Sequence, residues 1–381
     1  MKARANIGLS IVKARLLGAR LLRLTSTVLL LVVSSQATGF AGSATWKANP
    51  TSGDWNTAAN WMPPTIPNGP SDTATFAVSN ITGISLSGNP VTEVNGIAFN
   101  AGASLFTITV SATTSTSSQL TISGVGITNN SGITQNFAIT TVSNFVANLV
   151  FTNSATAGSG TFFTTNSGPV AVWFFDASTA GNGTFTNSGG VARGGDGGGT
   201  IFLNGATADN GTFTIDGGAV SGAHGGRIEF FGNSTAHAAT IIANDGLGEG
   251  GLIFFTDGAR GGRSRVAVFG NGGLDISAHD PGNVTIGSIE GDGNVFLGAR
   301  NLTIGSNNLS TTFSGMIQDG GVASGAGGSL TKIGTGKLVL SHRNTYTGGT
   351  IIERGKLITR AIRAQAPGPF RWRTASLAGK G

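Results

Sequence analysis

The chain has 381 residues, of which 63 are glycine and none is cysteine, and it carries only 23 basic and 17 acidic side chains. Glycine at more than twice the usual ~7 % without a G-X-Y period excludes collagen, and so few charges exclude a coiled coil. Disulfides, thiol nucleophiles and thiolate metal sites go with cysteine, while 39 % hydrophobic content with 22 Phe supplies a core and argues against wholesale disorder.

The net charge of +6 is unevenly placed. Residues 1–44 hold Lys2, Arg4, Lys13, Arg15, Arg20 and Arg23 with no acid, residues 351–381 are again basic, and the body between them is acidic. No basic face is left for nucleic acid. Residues 1–44 read as a signal peptide: cations, an apolar stretch from Leu24 to Val33, then small residues with cleavage expected after Ala41 or Ala44. The competing reading is an uncleaved anchor, but a bilayer needs about 20 predominantly apolar residues and this run is about half that length.

Residues 45–79 follow as an N-terminal cap segment. Trp46, Trp55 and Trp61 would close the apolar end of a solenoid, the rival role being an aromatic sugar platform. From residue 80 to 326 the sequence repeats. Residues 173–186 align without gaps to 201–214, and the same 28-residue offset reaches 229–242. A looser copy from Ile253 places Phe174, Phe202, Phe230 and Phe254 at equivalent positions. Each unit holds short β-branched or aromatic runs divided by Asn, Asp and Gly, with no 3.6-residue period. One such unit cannot bury its apolar face alone, whereas stacked units can. The expectation is an all-β, right-handed single-stranded parallel β-helix, with phenylalanines stacked at the ~4.8 Å strand spacing and with Asn182, Asn210 and Asn244 at turns. About 25 residues per coil over 80–358 gives on the order of eleven coils and roughly 50 Å of rod. A β-sandwich or propeller is the rival, but gapless offsets favour stacked coils.

Residues 327–358 carry Gly328, Leu330, Lys332, Gly334, Gly336, Leu338 and Leu340, then Asn344, Tyr346, Gly348, Gly349 and Thr350, then Gly355 and Leu357. This pattern, G-S-L-x-K-x-G-x-G-x-L-x-L-S followed by N-T-Y-T-G-G-T and G-x-L, resembles the autotransporter-associated β-strand repeat, also called the passenger-associated transport repeat. The resemblance implies an exported β-helical passenger that uses the general secretion machinery and an outer-membrane translocator. It implies a cell-surface, outer-membrane or extracellular location, periplasmic if the translocator is missing. The repeat brings no catalytic residue with it. Membrane barrels need many strands of about 9–11 residues, and the 23 residues after Ile358 do not encode one, so the chain departs from the family pattern there. Residues 359–381 read as a disordered basic tail, or as sequence foreign to the rest.

For chemistry, His224, His237, His279 and His342 share no metal-ligand spacing, and no cofactor motif stands in a strand–helix context. A sugar-degrading β-helix would need converging carboxylates with a helping cation. Asp209, Asp216, Glu229, Asp245, Glu249 and Asp257 are the candidates, beside Arg227, Arg260, Arg263 and Arg265, with Asp216 and Asp245 spaced for adjacent coils. Most sit in Asx-rich turns. The expectation is therefore a monomeric structural or adhesive rod with no catalytic site, cofactor or metal, offering Thr, Ser and Asn ladders to a surface or glycan ligand. The alternatives are the degradative enzyme or a truncated passenger without independent function.

Overall fold

In the computed structural model, which describes residues 42–86, 91–142, 144–280 and 282–359 and the backbone of 370–372, the chain is a parallel β-solenoid. Up to residue 41 the expected signal peptide lies outside the described residues, and Ala44 already begins the first strand. Successive strands alternate between two sheets, so that each coil adds one strand to each. The first has 13 strands, from Trp61–Met62 and Ala44–Trp46 at one end to Met316–Gln318 at the other; the second has 12, from Gly83–Ser85 to Lys356–Thr359. Every pairing is parallel except that of Ala44–Trp46 with Trp61–Met62. Apart from one 3₁₀ turn at Ala58–Asn60, no helix occurs among the described residues.

Alternation builds the core. In Asn182–Asn187 and Thr212–Ile215, Thr184-Phe185-Thr186 and Thr212-Phe213-Thr214 point threonines out and phenylalanines in. Register pairs Phe174 with Phe202, Phe202 with Phe230, and Phe230 with Phe255. Their rings stack at 4.7, 4.9 and 4.8 Å, within 7° of parallel, which is the strand spacing itself. Phe137, Phe163, Phe185 and Phe213 make a second ladder on the other sheet, at 5.0, 4.6 and 4.7 Å. Each buried Phe contributes about 1.5–3 kcal/mol, and aromatic pairing adds about 0.5–1.5 kcal/mol.

The third side of these coils is only a single-residue bridge, Thr156 to Thr179 to Thr207 to Thr235, flanked by inward Ala and Ser such as Ala155, Ser178, Ala206 and Ser234. These small residues leave room for the rings at native packing density. Corners recur in register too. Asn153, Asp176, Asn204, Gly232 and Asp257 adopt left-handed backbone, and so do Gly158, Gly181, Asp209, His237 and Gly262. Asn and Asp tolerate that conformation better than other side-chain-bearing residues.

Two expectations need correction. The fourth ring of the ladder is Phe255, not Phe254, because the coil after Glu229 advances 25 residues and pairs Glu229 with Phe254. A one-residue slip turns every side chain to the opposite face, so Phe254 points out of the core. Asn182 opens a strand just after the left-handed corner at Gly181, whereas Asn210 does stand in its turn, beside the left-handed Asp209. From residue 283 a third sheet replaces the threonine bridges: Asn283–Ile286, Asn301–Ile304, Ser329–Lys332 and Thr350–Ile352. The backbone of Phe370–Trp372, within the expected tail, pairs in parallel beside Thr350–Ile352.

Candidate functional site: the C-terminal repeat

The signature residues of 327–358 fall into three structural jobs. Leu330, Leu338 and Leu340 are buried, and Leu357 is half-buried against the same core. Leu330 lies between Leu302 and Thr350 in register, and Leu338 between Thr311 and Leu357. Gly334, Gly336, Gly348, Gly349 and Gly355 occupy the bends between strands. Four of these, Gly334, Gly336, Gly348 and Gly355, have no room for a side chain. A Cβ at Gly334, already left-handed at φ +66°, would lie 2.0 Å from the Gly305 carbonyl oxygen, and one at Gly336 would lie 2.1 Å from that of Leu309. The repeat can therefore stack on the preceding coil only with glycine at these corners.

The polar signature residues clamp backbone. Lys332 is 1 % exposed and has no acidic partner among the described residues; its ammonium donates to the carbonyls of Ile333, of Gly334 at 3.2 Å and of Arg354 at 3.4 Å, joining one corner to the corresponding corner of the next coil. Burial pulls its pKa below the usual lysine value. Asn344 Oδ1 accepts the Ile317 N–H at 2.9 Å while the Thr345 N–H donates to the Ile317 carbonyl at 2.9 Å, so this segment completes the edge of the last first-sheet strand. The buried Tyr346 hydroxyl meets Thr350 Oγ1 at 2.5 Å, and burial raises its pKa. The Gly328 N–H donates at 2.9 Å to Asp319 Oδ1. That carboxylate also takes the N–H groups of Gly327 and Thr347 and the Thr347 hydroxyl. Asp319 is absent from the expected set. Its acceptors are matched to backbone donors, which leave no side-chain pattern in sequence.

The candidate carboxylates are dispersed and occupied. Asp209 faces His237 at 3.3 Å, Glu249 faces His224 at 2.8 Å, and Glu229 pairs with Arg227 at 2.6 Å. Asp216 and Asp245 do lie on adjacent coils, as their spacing implies. However, Asp216 accepts the Asn244 amide at 2.9 Å, and Asp245 accepts the Asn271 N–H at 2.9 Å. Asp257 accepts the Gly232 N–H at 3.3 Å. Arg265 pairs with Glu290, while Arg260 closes the threonine ladder through its backbone, and Arg263 donates its N–H to the His237 carbonyl. His279 is buried between the carbonyls of Asp280 and Ala259. Among the described residues, no group of three or more His, Asp or Glu is placed to hold a metal.

A groove of about 470 Å³ opens where Ser288–Gly291 and Thr311–Phe313 diverge, paired only at Gly291 and Phe313. Its single carboxylate is Glu290, already held by Arg265. At the other end of the rod, Trp46, Trp55 and Trp61 are at most 1 % exposed and pack on Phe76, the first ring of the core stack. Buried in this way, they present no sugar platform.

Residues 330–358 match the model of the passenger-associated transport repeat. Comparison with curated proteins and with solved structures yields no match.

Proposed function

With a passenger-associated transport repeat forming the last coils of a parallel β-solenoid, we propose that the chain is an exported autotransporter-type passenger. In this reading it acts as a structural or adhesive rod at the cell surface or in the surrounding medium, and has no catalytic centre. The observation that carries the reading is the repeat's position in the fold: its glycine corners and backbone clamps stack directly on the preceding coils. Each coil offers the next a complete strand edge, so the rod can form progressively as it emerges from a secretion channel, without disulfides. The occupied carboxylates support the non-catalytic part. The general secretion machinery, an outer-membrane translocator and a surface or glycan ligand are the partners proposed, with the rod itself monomeric.

Fractionation of the producing cells tests this reading. An antibody to the solenoid should find it in the envelope or medium, lacking its leader, and digestible by protease added to intact cells. Recovery from the cytosol with the leader attached contradicts it.

A further inference from the structure

The outward face of the first sheet changes character over residues 147–256. Register aligns Val150, Trp173, Ile201, Glu229 and Phe254 in one outward column. Backbone bonds from Phe175 to Phe151, Leu203 to Phe174 and Phe231 to Phe202 set Phe175, Leu203 and Phe231 in a second column beside it. Trp173, Phe175, Leu203, Phe231 and Phe254 are all partly exposed. Val150 and Ile201, in the same column, are 7 % and 2 % exposed yet lie outside the contiguous core.

Folding does not require this surface, because the same strands bury their other side in the Phe ladder. Nor is it a general property of the coils, since over the same stretch the second sheet turns mainly threonines outward, Thr164, Thr184, Thr186, Thr212, Thr214 and Thr240, with Phe162 and Ile242 apart from each other among them. An apolar area of this kind marks a contact surface.

The details select the contact. The Trp173 and Phe175 rings lie 5.8 Å apart and within 10° of parallel, with the indole fixed by its N–H bond to Asn148 Oδ1 at 3.1 Å. Two strand spacings along the rod, about 10 Å away, the Arg227–Glu229 pair stands in the same face, its side chains 35 % and 18 % exposed. An apolar protein or lipid partner would bury that pair without compensation. A sugar ring offers aromatic side chains an apolar face and offers carboxylate and guanidinium a rim of hydroxyls. The charges cancel locally, which suits an uncharged ligand, and a flat face without walls suits an extended chain. The surface ends at Asp275, where Gly321 and Val322 fold over the sheet.

Resting on the exported-rod reading above, we infer that this face is a binding platform for an extended, uncharged polysaccharide. Trp173 and Phe175 stack on its rings, and Glu229 and Arg227 hold its hydroxyls.

Sedimentation of the purified full chain with microcrystalline cellulose and with chitin tests the platform. Saturable binding to at least one is expected. Trp173→Ala with Phe175→Ala should weaken it about tenfold or more with an unchanged circular dichroism spectrum, and Glu229→Gln should weaken it several-fold. Thr212→Val with Thr214→Val, on the opposite face, should leave it unchanged. If the double aromatic variant misfolds, Glu229→Gln decides. Failure to bind either polysaccharide, or equal binding by the variants, overturns the platform. So does sedimentation with phosphatidylcholine vesicles in its place, or self-association that the aromatic variant abolishes. The two readings fail separately: an exported chain that binds neither polysaccharide removes only the platform, and a cytosolic chain that binds removes only the export reading.

Discussion

The middle coils and the last coils solve one problem, keeping each coil in register with the next, by different means. Between Phe151 and Phe255 neighbouring coils are close to interchangeable: rings stack on rings, threonine bridges threonine, and left-handed corners recur at matched positions. A coil displaced along such a stack would meet similar partners, so fidelity rests on parity and on the small residues of the third side. From Leu274 onward the core turns mainly aliphatic, with Leu274, Val295, Ile317 and Leu330, and a third sheet appears. Here single polar side chains hold named backbone groups: Asp275 holds Val322, Asp319 holds Gly327 and Gly328, Lys332 holds Arg354, and Asn344 holds Ile317. The repetitive stretch is held mainly by its apolar stack, while the terminal stretch adds contacts that only one alignment satisfies.

The largest predicted effect breaks the ring ladder. Phe202→Ala removes a ring stacked between Phe174 and Phe230 and should cost about 3–5 kcal/mol, read as a lower denaturation midpoint. Asp319→Ala leaves the Gly328 and Thr347 N–H groups and the Thr347 hydroxyl without their acceptor, Gly327 keeping Thr347 Oγ1, and should cost about 2 kcal/mol, with proteolytic nicking expected to rise near residues 320–328. Asn344→Ala should cost about 1 kcal/mol and speed exchange of the Ile317 amide while Phe202 is unaffected.

A smaller, pH-dependent effect sharpens the contrast. Burial raises the Asp275 pKa above its ordinary 3.8, opposed by bonds from Ser277 and Val322. A carboxyl with a raised folded-state pKa contributes most below its unfolded pKa and loses that contribution as pH rises through the folded one. The melting-temperature advantage of wild type over Asp275→Asn should therefore grow on acidification from neutral toward pH ~4, and a constant difference would contradict it.

The ladder was legible because gapless 28-residue offsets expose it. The 25-residue coil was misread by one position because Phe254-Phe255 offers two aromatics where parity allows only one inside. The same doubling signals the outer face: in Trp173-Phe174-Phe175 a strand with one buried side must turn two rings outward. The repeat motif was readable as a pattern. Its physical content was hidden because Lys332, Asn344 and Asp319 act on backbone groups, which every residue carries alike. The third sheet does carry a repeat, Asn283–Ile286 against Asn301–Ile304, but at an 18-residue offset unlike the 28 of the middle coils.

Hydrogen exchange along wild type, Phe202→Ala and Asp319→Ala tests the division most directly. Protection should be lost around residues 170–232 in the first variant and around 316–350 in the second, each sparing the other region. Identical, chain-wide loss in both variants would mean that the rod is one undivided cooperative unit, and would contradict the division.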